Sequence, residues 1–466
     1  MRVLLVCPQE NIPRSGEGYP SGALLLLGST LRARGHDVAV VQMITDAVDP
    51  AGVAARVRAF NPDVVGVTMN TYQTRSAREV FQAVKRVSRE VLVVTGGPHP
   101  SALGMETFRD FQDVDVVVVG EGEVTFTDIV EGGTLAKIPG ICLPGGPTPP
   151  RPVRQDLDAL PLPDLELIGG REGLSRYGGP YPRGPQPSMF MMASRGCFGR
   201  CKFCNTPVFW GRRVRTRSPA SIIAEIEWLH SRFGVREIYF QDDTFNANLR
   251  WAESVLNAIV ARGLNRDISY RLCFRVNERL ITAELIALAR RANVRIIFFG
   301  TESGNQGMLT AMGKDVRIEE IERAFRLARE AGIRTVTSFL IGNAGESGQT
   351  VRDSIALAKR LKAYAVGFSM AIPFPGTALR EEARARGHLL EEGYDGYGAE
   401  SCLLRTEALE PVEMARLQRY AGACMLLQPS NVDYIFRPRS LFGVRSKLRV
   451  AREILAHHWP RRGTGR

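Results

Sequence analysis

Three cysteines, Cys197, Cys201 and Cys204, stand within eight residues of the stretch SRGCFGRCKFCNTPVFWG (194–211), spaced C-x3-C-x2-C with Phe203 just before the third. Thiolates are soft ligands suited to zinc or to iron–sulfur clusters. A closed structural zinc site takes four protein ligands, and no fourth Cys or His lies near this stretch; the nearest histidine is His230. Three thiolates fit a [4Fe–4S] cluster with one iron left open to a substrate or cofactor, a position that four-cysteine clusters lack. A zinc site completed by a distant residue is the competing reading. The other five cysteines (Cys7, Cys142, Cys273, Cys402 and Cys424) are scattered through 466 residues. They are too sparse for a disulfide framework and read as small buried hydrophobes.

The elements that carry this motif read as two α/β series. Over residues 1–130, apolar runs such as RVLLVC, DVAVVQ, DVVGVT, VLVVTGG and VDVVVVGEGE alternate with helical stretches. Continuous Val/Leu/Ile runs separated by helices predict a doubly wound parallel sheet covered on both faces. Its functional loops belong beyond the carboxyl ends of the strands, at Ser21–Gly22, Thr68–Thr71 and Gly96–Ser101. Residues 131–187 are rich in Pro and Gly and read as a linker. From 188 to 400, six β/α units follow one another, which predicts a partial (β/α)6 barrel with its polar strand ends at the active face. The chain is therefore expected to be α/β throughout, closed by a short helical, basic region over 401–466 in which one helix starts at Pro411.

Composition narrows the function classes. The apolar content, 44%, is that of a globular protein, and no run of about 18 uncharged apolar residues marks a membrane span. The first residues, MRVLLVCPQ, read as a buried strand and not a signal peptide, so a cytoplasmic location is expected. The formal charge is +12, of which +8 lies between Arg437 and Arg466, where nine Lys/Arg face the single acid Glu453. That tail reads foremost as a solvated end; docking of an acidic electron donor is the alternative, and nucleic acid is disfavoured because few aromatics interleave with the charges.

With these residues in view, the chain resembles the radical S-adenosylmethionine (SAM) enzymes, and within them the subfamily carrying an N-terminal cobalamin (B12)-binding-type domain. The cysteine spacing, GGPHPS (96–101), GEGE (120–123), FWGRRVRTRSP (209–219), QDDTF (241–245), GTESGNQGMLTAMGKD (300–315) and PFPGT (373–377) carry the resemblance. It implies that Cys197, Cys201 and Cys204 ligate a [4Fe–4S] cluster whose open iron holds SAM, and that one electron then yields a 5′-deoxyadenosyl radical. By the same resemblance, Phe203 packs near the adenine, while Glu302 and Ser303 contact ribose and methionine. Arg275 pairs with the methionine carboxylate, and Asp242, Asp243 and Glu346 are the candidate catalytic acids. Where the family more often has Gly-Pro-Gly-Glu-Thr, this chain has LIGNAGES (340–347), retaining Glu346.

The cobalamin fingerprint Asp-x-His-x-x-Gly is absent, so no histidine of that motif is expected beneath the cobalt. A corrin and its tail, if bound, belong at Ser21, Gly22, Thr68, Gly96 and Gly97. With cobalamin the subfamily's usual outcome is methylation of an unactivated carbon. Without it the substrate radical must rearrange, lose a group or be oxidised, as in the aminoglycoside radical diol dehydratases, whose plan is similar. The main expectation is radical dehydration or deoxygenation of a polyhydroxylated antibiotic precursor, with C-methylation as a near-equal alternative. The expected partners are a small-molecule substrate, a flavodoxin- or ferredoxin-type electron donor and a downstream reductase.

Overall fold

A computed structural model describes residues 1–10, 18–179, 184–398 and 401–426. The basic stretch Arg437–Arg466 lies outside the described residues.

In the first half, β1 (Arg2–Cys7), β2 (Asp37–Gln42), β3 (Val64–Thr68), β4 (Leu92–Gly96) and β5 (Val116–Val118) form a parallel sheet in the order β2-β1-β3-β4-β5. Alternation along the strands splits the apolar runs between two cores. Leu4, Val6, Val65, Val67 and Val93 pack with the helices Pro50–Phe60 and Thr74–Val87 on one face. Val3, Leu5, Val64, Val94 and Val116 pack with Gly22–Arg32 and Gly122–Val130 on the other. This is the doubly wound domain expected.

The stretch 131–187 is more than a linker. It adds β6 (Ile141–Leu143) and β7 (Gly146–Pro147) antiparallel at the sheet's edge. It also buries Leu157, Leu165, Ile168, Leu174 and Tyr177. Pro and Gly weaken a central strand but are tolerated at an edge, where fewer ladder bonds are demanded. The composition that signalled a linker therefore also suits an edge hairpin.

In the second half, β8 (Ser188–Met191) is followed by a small antiparallel hairpin, β9 (Ser194–Arg195) and β10 (Arg215–Thr216). Then come β11 (Glu237–Phe240), β12 (Ser269–Phe274), β13 (Val294–Glu302), β14 (Arg334–Ile341) and β15 (Ala365–Met370). The six long strands pair in parallel in the order β8-β11-β12-β13-β14-β15, an open barrel. Ile238, Phe240, Tyr270, Leu272 and Phe274 join the core beneath the outer helices. The alternate residues Glu237, Tyr239, Arg271 and Cys273 face the concave side. There Arg271 pairs with Glu237 at 2.9 Å, and Tyr239 Oη lies 3.1 Å from Cys273 Sγ. The helix expected at Pro411 runs Pro411–Leu426 and packs on β15. No helix among the described residues is long and apolar enough to cross a membrane.

Candidate active site

The three cysteines sit on the loop between β9 and β10, held over the carboxyl ends of the barrel strands. The loop leaves β9 through Gly196 at φ +92°, where a Cβ would stand 2.4 Å from the Arg213 carbonyl oxygen. Only glycine takes that combination of a left-handed φ and close backbone approach without strain. Lys202 N–H donates to Met312 O at 2.8 Å, Leu379 N–H donates to Lys202 O at 3.0 Å, and Lys202 Nζ pairs with Glu382 at 2.8 Å. The end of the helix Gln306–Ala311 and the helix Ala378–Ala385 thus clamp the loop from two sides.

Cys197 Sγ accepts the Gly199 N–H at 3.4 Å and lies 3.5 Å from Thr244 Oγ1. Burial pushes the Cys204 thiol above its ordinary pKa. Among the described residues, no three His, Cys, Asp or Glu side chains stand close enough to hold a single metal ion. A cubane cluster makes a different demand, one thiolate for each of three separate irons, and the donor set fits it. Phe203 packs beside Ala371, Leu379, Ala383 and Leu404, a small apolar cluster at the barrel rim.

The strand-end acids are placed beside the loop, each with a hydroxyl donor on its carboxylate. Asp242 is fully buried and accepts from the Ser194 hydroxyl and, at 3.4 Å, from the Ala193 N–H. Asp243 accepts from Thr206 Oγ1 at 2.8 Å. Burial raises both pKa values, Asp242 to about 7. Glu346 accepts from Thr350 Oγ1 at 2.6 Å and from Gly342 N–H at 3.4 Å, and burial raises it to about 7. Through these bonds the three residues, expected as catalytic acids, brace the cysteine hairpin and the loop after β14. Sequence places an acid at a strand end; it does not say which hydroxyl the acid will meet.

That raised Glu346 pKa has a measurable consequence. Below about pH 4.5 the carboxyl is neutral folded and unfolded alike. Between there and about pH 7 only the unfolded chain ionises, so stability falls as pH rises through that window. Glu346→Gln is expected to remove this share, flattening the fall in thermal midpoint between pH 5 and pH 8; an unchanged slope would contradict the assignment.

Glu302, at φ +69°, is committed to Lys314, whose Nζ lies 3.0 Å away. Ser303 is fully buried; its Oγ accepts from Asn305 N–H at 3.2 Å and lies 3.4 Å from Ser354 Oγ. Its side chain thus sits in the packing beneath the helix Gly348–Leu361. Arg275 donates to Asn277 at 3.1 Å and stacks over Phe198 at 5.1 Å. It has no carboxylate partner among the described residues.

Between the two α/β units lies a cavity of about 360 Å³. Gly22, Thr68, Gly96 and Gly97 line it, with Met189–Met192 of the β8 segment opposite. Ser21 is not among its lining; its N–H donates to Gln42 Oε1 at 2.8 Å, at the start of the first helix. Gly97 (φ +109°) lies so close that a Cβ would meet Met69 O at 2.8 Å. Leu, Val, Phe and Met side chains dominate the walls. Such a concave, mostly apolar site with a few polar groups suits an organic cofactor, and its glycine-lined floor lies where doubly wound folds bind ligands.

One part of the site was present in the motifs but not in the predicted residues. Glu121 and Glu123 of GEGE reach across to the cysteine hairpin. Arg195 meets Glu121 at 3.1 Å and Glu123 at 2.5 Å, and Arg215 meets Glu121 at 2.5 Å, all four side chains at most 10% exposed. Arg195 also stacks over Trp210 at 4.6 Å. The signal was the pairing of a GEGE loop in one domain with an Arg-rich strand in the other.

Two family models match the chain: the radical SAM superfamily over residues 191–358 and the B12 binding domain over residues 12–130. An uncharacterized methyltransferase of Pyrococcus horikoshii, PH0819, is 30% identical over 92% of this chain and 93% of its own. The chain is a radical SAM enzyme with an N-terminal B12-binding domain. It is also 27% identical to the anaerobic magnesium-protoporphyrin IX monomethyl ester cyclase of Cereibacter sphaeroides, over 89% of this chain and 68% of that one. In fold it is similar to the radical SAM methyltransferase TsrM of Kitasatospora setae, solved with cobalamin and a [4Fe–4S] cluster (TM-score 0.69, 22% identity, 89% of this chain and 81% of that one). Membership in this family makes a [4Fe–4S] cluster and SAM the cofactors of the barrel, with cobalamin the ligand for which the first domain is built.

Proposed function

We propose that this radical SAM enzyme is a cobalamin-dependent C-methyltransferase acting on a small-molecule substrate. The observation that carries the reading is the apolar cavity at the sheet's carboxyl edge, which borders β8 and, through Arg195 and Trp210, the hairpin bearing the three cysteines. Two of the three relatives named above are methyltransferases, which supports methylation over the dehydration set first in the sequence reading.

When bound, the cluster supplies the electron that splits SAM into a carbon radical, and cobalamin supplies a carrier for a methyl group. The chain's own residues do the holding. In this reading Cys197, Cys201 and Cys204 are the cluster ligands, and the Gly199 N–H, directed at Cys197 Sγ, stabilises the thiolate charge. Asp242 and Asp243 keep the hairpin seated through Ser194 and Thr206. Arg275, lacking a carboxylate of its own, is available to the carboxylate of SAM. The glycine-lined floor excludes water from the cofactor face.

The test is anaerobic reconstitution with iron, sulfide and hydroxocobalamin, followed by desalting and metal counting. Roughly four irons and one cobalt per chain are expected. Incubation with reductant, SAM and bacterial extract is expected to yield S-adenosylhomocysteine, which any methyl transfer from SAM leaves behind. Four irons with no retained cobalt would overturn the methylation reading in favour of dehydration.

A further inference from the structure

A second recess, about 540 Å³, opens on the outer side of the cysteine loop. Its wall is Phe198–Arg200, the residues between the first two cysteines, and the cationic side chains of Arg275, Arg279, Lys314 and Arg317 join Arg200 around it. The only carboxylate in its lining is Asp315. Lys314 is neutralised by Glu302, and Arg317 meets Glu278 at 3.4 Å and Glu320 at 3.6 Å on the exposed rim. Arg200 and Arg279 have no carboxylate within ion-pair distance among the described residues, and Arg275 is the one that the proposed function leaves to the carboxylate of SAM.

The wall is one residue thick. A Cβ on Gly199 would stand 2.5 Å from Arg275 Nη1 on the recess side and 3.3 Å from Cys197 Sγ on the other. The recess therefore combines an unneutralised positive field with a thin cover over the Cys197 thiol. Electron-transfer rates fall steeply with distance, and facing charges of opposite sign steer encounter and fix orientation.

We propose that this recess is the docking surface for an acidic electron-transfer protein, with its redox centre placed against the Phe198–Arg200 wall. The proposal rests on Cys197, Cys201 and Cys204 holding the cluster. It places docking on the barrel, where the sequence alone offered the tail from Arg437 only as the alternative to a solvated end. The required step is a single electron from the donor, which is oxidised, to the cluster, which is reduced; no bond forms or breaks in the protein.

The test uses full-length, cluster-loaded enzyme with a bacterial flavodoxin as probe. Arg279→Glu/Arg317→Glu reverses two rim charges away from the cysteines. Flavodoxin binding by titration calorimetry at low salt is expected to weaken about tenfold or more, and the rate of cluster bleaching by flavodoxin hydroquinone to fall in parallel. Bleaching by dithionite, which needs no docking surface, is expected to match the unaltered enzyme and reports that the variant is folded and loaded. Arg279→Lys/Arg317→Lys should keep the affinity. Undiminished flavodoxin affinity in the charge-reversed variant would overturn the proposal, as would loss of binding only on deleting residues 437–466. Failure of the unaltered protein to load a dithionite-reducible cluster would instead sink the cluster assignment on which the proposal stands.

Discussion

Cys201→Ala is expected to leave a folded chain that retains almost no iron after reconstitution and cleaves SAM at least ~10³-fold more slowly than the unaltered enzyme. Cys201 sits on a loop clamped from outside by Met312, Leu379 and Glu382 through Lys202, so the loop does not depend on the thiol for its shape. What the substitution removes is one of only three thiolates. Cys142→Ala, which deletes a buried thiol from the edge of the first sheet, is the matched control and should load iron as before. Iron and sulfide counts, the cluster's visible absorption and the rate of 5′-deoxyadenosine release check the pair. Full iron loading of Cys201→Ala would refute the ligand assignment.

Arg195→Ala is expected to be the most damaging substitution outside the cysteines, destabilising the chain by about 3–5 kcal/mol, the usual cost of leaving a buried charge without its partner. The reason is the number of groups that depend on this guanidinium. It meets both Glu121 and Glu123 and covers the Trp210 ring. Removing it strands the Glu123 carboxylate at the junction of the domains and leaves Glu121 with Arg215 alone. Neutralising the whole network, as in Arg195→Met/Glu121→Gln/Glu123→Gln, should recover much of the loss, because well-packed neutral groups replace buried ion pairs at little cost. Thermal midpoints of the single and triple variants decide this. If the single variant melts within a degree or two of the unaltered protein, the network does not hold the domains together. Because Glu121, Glu123 and Arg195 also line the interdomain cavity, the same substitution should weaken cobalamin retention along with stability.

The expected losses differ in kind, and the difference follows from burial. A surface ion pair such as Arg360–Glu322, with both side chains over a third exposed, is worth at most about 1 kcal/mol. The Arg195 network is worth more only because water cannot replace the missing partner.

Much of this was legible in the sequence. Runs of Val, Leu and Ile separated by amphipathic stretches determine that strands pair in parallel and bury both faces, since no other arrangement hides so continuous an apolar run. The C-x3-C-x2-C spacing determines a three-thiolate donor set whatever surrounds it. The glycines at 96, 97 and 196 mark backbone that must approach closely or turn left-handed. Tertiary structure alone decided what each polar side chain does once it arrives. Asp242, Asp243 and Glu346 stood at strand ends, where catalytic acids belong, and the chain brought Ser194, Thr206 and Thr350 to meet them as hydroxyl partners. Ser303 turned inward because Ser354, fifty-one residues away, lay within reach. Glu121 and Arg195 became partners because two domains met there. Strand and helix patterns are local, set by periodicity over a few residues. A hydrogen bond or ion pair between residues far apart depends on where the fold places both ends, and no local pattern carries that information.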